Sequence, residues 1–124
     1  MSQKTILIVE DEQFLLEITT SILQLYGFAT LTASNATEGL QIVAQNKPDL
    51  IISDVMMGEI DGFQFVKMLK ENPLYQDIPV ILLTALADVV DKNKGMAVGA
   101  QAYITKPFNG KELANTINLL LQHK

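Results

Sequence analysis

Residues 49–62 have the sequence DLIISDVMMGEIDG, in which an apolar run ends at the carboxylate of Asp54 and a glycine-containing turn follows. Because Leu50, Ile51 and Ile52 show no polar alternation, the run predicts a strand buried on both faces, as in parallel α/β sheets. Asp54 then lies at the carboxyl end of this strand, the edge at which open α/β sheets bind ligands. A simpler interpretation stays open from these residues alone, because Asp is also a common capping residue at strand-to-loop corners.

Apolar runs and helical spacing alternate along the whole chain. The predicted strands cover residues 5–9, 28–33, 49–54, 79–83 and 101–104, and the predicted helices cover residues 13–26, 35–46, 63–72, 88–98 and 111–122. Five strands that alternate with five helices predict an α/β fold in which a five-stranded parallel sheet is covered on both faces. We expect a flavodoxin-like three-layer sandwich with the strand order 2-1-3-4-5, which places the first and third strands side by side.

Two helices have recognisable start signals. Asn35 and Glu38 have the spacing of a capping box at the start of the second helix. Asp88 is the expected cap of the fourth helix, in which Gly95 should cost about 1 kcal/mol relative to Ala. We therefore expect the fourth helix to be the weakest of the five.

The composition narrows the classes of function. The 124 residues, of which 48% are hydrophobic, fit one compact domain over residues 1–124. All nine basic residues are Lys and the net charge is -5, so direct binding to nucleic acid is not expected. The chain has no Cys, and its apolar runs are too short to cross a bilayer, which favours a cytoplasmic protein without a membrane partner. The single His, His123, lies beside the C-terminus, which argues against Ser-His-Asp catalysis and His-based metal sites.

Side chains of complementary chemistry follow four of the predicted strands. They are Glu10 and Asp11 after the first strand, Asp54 after the third, Thr84 after the fourth and Lys106 after the fifth. These strand ends meet at one edge of the sheet, where clustered acids call for a cation, and an all-oxygen set suits Mg²⁺. A Lys and a hydroxyl opposite the metal could then hold phosphoryl oxygens. The chain has no glycine-rich nucleotide loop, so the phosphoryl group need not arrive on bound ATP.

The same residues form an ordered set of motifs. They are Glu10-Asp11, Asp54 with Met57 three positions later, Asp61-Gly62, Thr84-Ala85 and Lys106-Pro107-Phe108. Each member alone has an ordinary explanation, such as a helix-capping acid or a solvated Lys. In this order and spacing, from Lys4 to Leu121, the chain resembles the response-regulator receiver domain of two-component signalling.

The resemblance implies a role for each acid. Asp54 would accept a phosphoryl group. Mg²⁺ would be bound directly by Asp11, Asp54 and the main-chain carbonyl of Met56. Glu10 would bind the metal through water.

The resemblance also implies the contacts on the other side of the phosphoryl group. Thr84 and Lys106 would contact the phosphoryl oxygens, and Tyr103 matches the aromatic switch position of the family. The family's Lys-Pro bond is typically cis, whereas only about 5–6% of X-Pro bonds in folded proteins are cis.

One position departs from the family pattern. Gly58 stands where the family usually has Pro, so the loop after Asp54 is expected to be more mobile, with an effect on kinetics rather than on identity. Gly58→Pro should stabilise the domain modestly, unless Gly58 has a positive φ or its amide is needed as a donor.

The implied function is a phospho-accepting signalling receiver that catalyses only its own phosphorylation and dephosphorylation, and not an enzyme for other substrates. The phosphoryl donor would be a histidine kinase or a histidine phosphotransfer domain. Phosphorylation would change the surface formed by the fourth helix, the fifth strand and the fifth helix, which an output protein or domain would bind.

Three other functions could use parts of the same pattern. A metal-dependent phosphatase could use the same acids, but such enzymes usually place an acid two residues after the nucleophile, where this chain has Met56. A flavin-binding module is disfavoured because the anionic phosphate of the flavin nucleotide would lie against carboxylates without a metal. A receiver that only serves as a binding scaffold is disfavoured because the acid, Thr and Lys set is complete.

Overall fold

The computed structural model describes residues 3–122, in which five strands and five helices alternate. The strands are β1 (Thr5–Val9), β2 (Ala29–Ala33), β3 (Leu50–Ser53), β4 (Val80–Thr84) and β5 (Ala102–Thr105). The helices are α1 (Gln13–Leu25), α2 (Ala36–Gln45), α3 (Gly62–Lys70), α4 (Val89–Ala97) and α5 (Gly110–Gln122). Every predicted element is present, and its ends differ by at most two residues from the prediction. The interpretation of His123 lies outside the described residues.

The five strands form one parallel sheet with the order β2-β1-β3-β4-β5, which confirms the predicted flavodoxin-like topology. In this order β1 pairs with β3, and Val9 is in register with Ser53. The residues that follow these two positions therefore emerge side by side at the carboxyl edge of the sheet.

The sheet separates two hydrophobic clusters, one on each face. Ile6 and Ile8 of β1 pack in one cluster, and Leu7 and Val9 pack in the other, because successive side chains of a strand point to opposite faces. Strand β3 alternates in the same way and is buried throughout. The apolar runs without polar alternation are explained by this burial on both faces.

The predicted capping box of α2 is half right. The side chain of Asn35 accepts a hydrogen bond from the amide of Glu38 at 2.8 Å, as expected. The carboxylate of Glu38, however, accepts from the amide of Ser34 at 3.1 Å, one residue earlier than in a capping box. A complete capping box starts α3 instead, where Asp61 and Gln64 exchange hydrogen bonds of 2.8 and 2.9 Å.

Helix α4 begins as predicted, since Asp88 accepts a hydrogen bond from the amide of Val90 at 2.9 Å. Gly95 is the only buried residue that the structure describes in this helix. It packs against side chains of β4 and β5, so the view of Gly95 as only a weak point of the helix was incomplete. None of the helices in residues 3–122 has both the length and the apolar character needed to cross a membrane.

Candidate functional site

The carboxylate of Asp54 is fixed by its own turn. Asp54 follows β3, and its Oδ1 accepts hydrogen bonds from the amides of Val55 at 2.6 Å and Met56 at 3.3 Å. Its Oδ2 lies 3.3 Å from Nζ of Lys106. The side chain is only 11% exposed, so one oxygen is held by the backbone while the other faces a cation in a largely buried site.

Three acids meet at this edge of the sheet. Glu10, Asp11 and Asp54 each offer a carboxylate oxygen, and these oxygens all lie within 4.8 Å of one another. Glu10 is buried, Asp54 is intermediate and Asp11 is exposed. Closely spaced oxygen ligands with an opening to solvent fit a hard cation such as Mg²⁺, which retains several waters when it binds. Met56 lies in the loop that follows Asp54, with its side chain in solvent.

Lys106 is brought to the acids by the end of β5. Its amide donates to the carbonyl of Thr84 at 2.8 Å, and the peptide bond between Lys106 and Pro107 is cis, as expected. The ammonium lies 2.9 Å from Oε1 of Glu10 as well as 3.3 Å from Oδ2 of Asp54. Lys106 therefore bridges two of the three acids, and its side chain is 15% exposed.

The charges at the site are not balanced. Burial raises the pKa of the Glu10 carboxyl and the nearby Asp54 charge raises it further, while the hydrogen bond from Lys106 opposes both. Burial lowers the pKa of Lys106, but Glu10 and Asp54 outweigh this effect and raise the pKa above its usual value. The cluster thus has three carboxyl groups and one ammonium, which contacts two of them, and a divalent cation would supply further positive charge.

Two hydrogen bonds connect the end of β4 to β5 through Leu86, which lies in the loop before α4. The hydroxyl of Thr84, which is fully buried, accepts a hydrogen bond from the amide of Leu86 at 3.3 Å. The carbonyl of the same Leu86 accepts from the hydroxyl of Tyr103 at 2.7 Å. Burial, with smaller contributions from nearby acids, raises the pKa of Tyr103, which keeps the hydroxyl protonated as a donor. This role of Leu86 was missed by the sequence analysis, since its hydrogen bonds to Thr84 and Tyr103 use only the backbone.

Gly62, which the sequence analysis included only as part of the Asp61-Gly62 motif, has a packing role that was not predicted. Its amide donates to the carbonyl of Val55 at 2.8 Å. A Cβ atom at this position would lie 2.7 Å from Cα of Val55 and would collide with the carbonyl group of Asp54. The start of α3 can therefore approach the loop after Asp54 only because residue 62 has no side chain.

Gly58 meets both conditions under which Gly58→Pro is expected to stabilise the domain. Its φ is not positive, and its amide donates no hydrogen bond within the part of the chain that is described. A Cβ atom there would have no neighbour within 4 Å. Gly58→Pro should raise the free energy of unfolding by about 0.4–1 kcal/mol, because the unfolded chain loses entropy, and should slightly strengthen Mg²⁺ binding. Thermal unfolding with and without Mg²⁺ checks this expectation, with Gly58→Ala as the control. Lower midpoints for Gly58→Pro in both conditions would contradict it.

Comparison with known proteins agrees with this geometry. The family model of the response regulator receiver domain matches residues 6–118. The transcriptional regulatory protein YvrH of Bacillus subtilis is 42% identical over 123 residues, which cover 98% of this chain and 51% of that protein. The chain spans about half the length of the relatives of this kind that it matches.

Two solved structures are similar over nearly the whole chain. The signal receiver domain of a signal transduction histidine kinase from Syntrophus aciditrophicus has a TM-score of 0.89 and 40% identity, with 96% of this chain and 90% of that one covered. The Vibrio cholerae chemotaxis protein CheY4 has a TM-score of 0.89 and 32% identity, with 96% and 99% covered. Sequence and topology agree, and the chain belongs to the response regulator receiver domain family, the signalling domains of two-component systems.

Proposed function

We propose that this chain is the phospho-accepting receiver of a two-component phosphorelay and that Asp54 is its acceptor. The observation that carries the proposal is the double placement of Asp54, which belongs to the cluster of three carboxylates and lies 3.3 Å from the ammonium of Lys106. A phosphoryl group on Asp54 would have positive charge on two sides once a cation is bound. This arrangement favours transfer of a phosphoryl group to a carboxylate.

The donor would be a phosphohistidine of a histidine kinase or of a histidine phosphotransfer domain. An oxygen of Asp54 attacks the phosphorus, the phosphorus–nitrogen bond breaks, and the imidazole leaves with the electron pair and takes up a proton. The product is an acyl phosphate on Asp54. Lys106 and Thr84 would hold phosphoryl oxygens, for which Lys106 must exchange its contact with Glu10.

The donor set fits Mg²⁺, which would neutralise the charge on the phosphoryl oxygens when bound. Asp11, Asp54 and the main-chain carbonyl of Met56 would hold it directly. Glu10, which is buried and paired with Lys106, would act through water.

The receiver would catalyse only its own phosphorylation and dephosphorylation. Position 56, where an aspartyl-phosphate phosphatase carries its general acid, holds a Met that is 62% exposed and cannot donate a proton. Residues 1–124 would form one receiver domain in the cytoplasm, and its net charge of -5 and lack of Arg disfavour direct contact with nucleic acid.

Another protein or domain, the output partner, would bind the surface formed by α4, β5 and α5. The contacts of Leu86 with Thr84 and Tyr103 support this proposal. If Thr84 turns towards a phosphoryl group, it must release the amide of Leu86, and the hydrogen bond from Tyr103 to the carbonyl of the same residue is disturbed. The position of α4 would then depend on the state of Asp54.

Metal binding separates the roles of the acids. Glu10→Ala should weaken Mg²⁺ binding about 10-fold, because it removes only a water-mediated contact, and Asp11→Ala should weaken it at least about 100-fold. Titration calorimetry measures both affinities, with Asp77→Ala, just before β4 at the opposite edge of the sheet, as the matched control. Equal losses for Asp11→Ala and Glu10→Ala would contradict the proposed ligand set.

A further inference from the structure

Gly95 lies where α4 rests on the side chains of β4 and β5. A Cβ atom at Gly95 would lie 2.9 Å from Cδ1 of Leu82, 2.9 Å from Cδ2 of Tyr103 and 3.2 Å from Cε2 of the same ring. Carbon atoms do not approach so closely without repulsion. No side chain fits at position 95 while Leu82 and Tyr103 keep their places.

The two neighbours of Gly95 differ in their freedom to move. Leu82 is fully buried, and only the terminal Cδ1 methyl of its side chain contacts position 95, so it can give way only by a small adjustment within the core. Tyr103 is only half-buried and borders solvent, and its hydroxyl is held by the carbonyl of Leu86 at 2.7 Å. The aromatic ring is therefore the group that yields when position 95 is enlarged.

We propose that Gly95 is a positioning residue of the switch, which sets the resting place of the Tyr103 ring against α4 and thereby keeps its hydroxyl on Leu86. This inference rests on the proposed function, in which Tyr103 responds to the state of Asp54. Ala is a better helix former than Gly, so helix stability alone would favour Ala at position 95. The room needed by the ring gives a reason for Gly.

A matched control lies in α2. A Cβ atom at Gly39 would lie 3.1 Å from Cγ2 of Val9 and 3.2 Å from Cζ of Phe65. Gly39 is thus a second buried helical glycine in tight contact with core side chains, but it does not face Tyr103. Gly39→Ala reports what a general disturbance of packing does to the molecule.

The direct test observes Tyr103 in unphosphorylated protein. The chain is labelled with 3-fluorotyrosine, and the fluorine signal of Tyr103 is assigned with Tyr103→Phe. In Gly95→Ala this signal should shift and should be broadened more strongly by a soluble paramagnetic reagent, because the ring has moved into solvent. Gly39→Ala should leave the signal in place. An unchanged Tyr103 signal in Gly95→Ala, or an equal shift in Gly39→Ala, overturns the proposal.

A double-mutant cycle gives a second test through stability. Gly95→Ala should lower the thermal midpoint in the wild-type background, and this loss should shrink or reverse when Tyr103→Ala has removed the ring. An equal loss in both backgrounds means that the ring is not what Gly95 accommodates. If Gly95→Ala alone does not fold, folding should return in the double variant, and its failure to return counts against the proposal.

Phosphorylation separates this inference from the proposed function. With acetyl phosphate and Mg²⁺, the Tyr103 signal of the wild type should shift, while Gly95→Ala should be labelled on Asp54 to the same extent but lose the Tyr103 response. If the Tyr103 signal of the wild type does not change on phosphorylation, the proposed response of Tyr103 to Asp54 is wrong. The packing result for the unphosphorylated protein is not affected by that outcome. A normal Tyr103 response in Gly95→Ala contradicts the role of Gly95 in the switch.

Discussion

Gly62→Ala should lower the free energy of unfolding by about 3 kcal/mol. A methyl group at position 62 would collide with the backbone of Asp54 and Val55, and backbone cannot move aside as a side-chain tip can. Overpacking costs about 1–3 kcal/mol even when side chains can adjust. The gain in helix propensity from Gly to Ala, about 1 kcal/mol at most, is too small to compensate. Urea unfolding measures the loss.

The control is Gly58, a glycine in the loop that precedes α3. Gly58→Ala places a methyl group where no atom lies within 4 Å, so it should change the free energy of unfolding by no more than about 1 kcal/mol, with stabilisation the expected direction. If Gly62→Ala is as stable as Gly58→Ala, the close approach of α3 to the backbone of Asp54 and Val55 is not a requirement of the fold.

Lys106→Ala should slow phosphorylation by acetyl phosphate about 100-fold while Mg²⁺ binding is retained. The ammonium is a preorganised charge 3.3 Å from the acceptor oxygen, and removing one such group typically costs a factor of about 100–1000 in rate. Mg²⁺ binding should not weaken, because the acids lose a competing positive charge. Lys106→Arg should be intermediate, since its planar guanidinium keeps the charge but changes the geometry.

The matched control is Lys111→Ala, which removes an exposed Lys near the start of α5 and should be phosphorylated at the wild-type rate. Initial rates of labelling and Mg²⁺ titrations decide the outcome. A Lys106→Ala protein that loses Mg²⁺ as severely as Asp11→Ala would assign Lys106 to the metal ligands rather than to the phosphoryl group.

The sheet could be predicted because its central strands are runs of consecutive apolar residues. Leu50, Ile51 and Ile52 are apolar without alternation since both faces of β3 are buried, and the same holds for β1. Once parallel strands are ordered, their carboxyl ends must meet. The proximity of Asp11 to Asp54 followed from that rule alone.

Contacts made by the backbone could not be predicted in the same way. Leu86 joins Thr84 to Tyr103 through its amide and carbonyl, groups that every residue other than Pro carries. Positions 62 and 95 have no room for a side chain because of neighbours that are distant along the chain or in other elements. A glycine in the sequence signals freedom of the backbone, but only the packed structure shows which close approach it permits.

Lys106 illustrates a partial success. The sequence analysis expected it at the acid cluster, where it lies, and its role as a ligand of phosphoryl oxygens stays a prediction. In the structure its shortest contact is with Glu10, at 2.9 Å, and the contact with Asp54 is longer. Burial of Glu10 explains the difference, because a buried carboxylate requires a partner of opposite charge.

The most direct measurement of the central claim is the site of phosphorylation. The chain is incubated with acetyl phosphate, with and without Mg²⁺, and the label is counted by intact-protein mass and located by peptide mapping. We predict one phosphoryl group on Asp54, formed only with Mg²⁺, absent in Asp54→Asn and undiminished in Asp77→Asn. Equal labelling of Asp54→Asn and the wild type, or a label located on any other residue, would contradict the assignment of Asp54 as the acceptor.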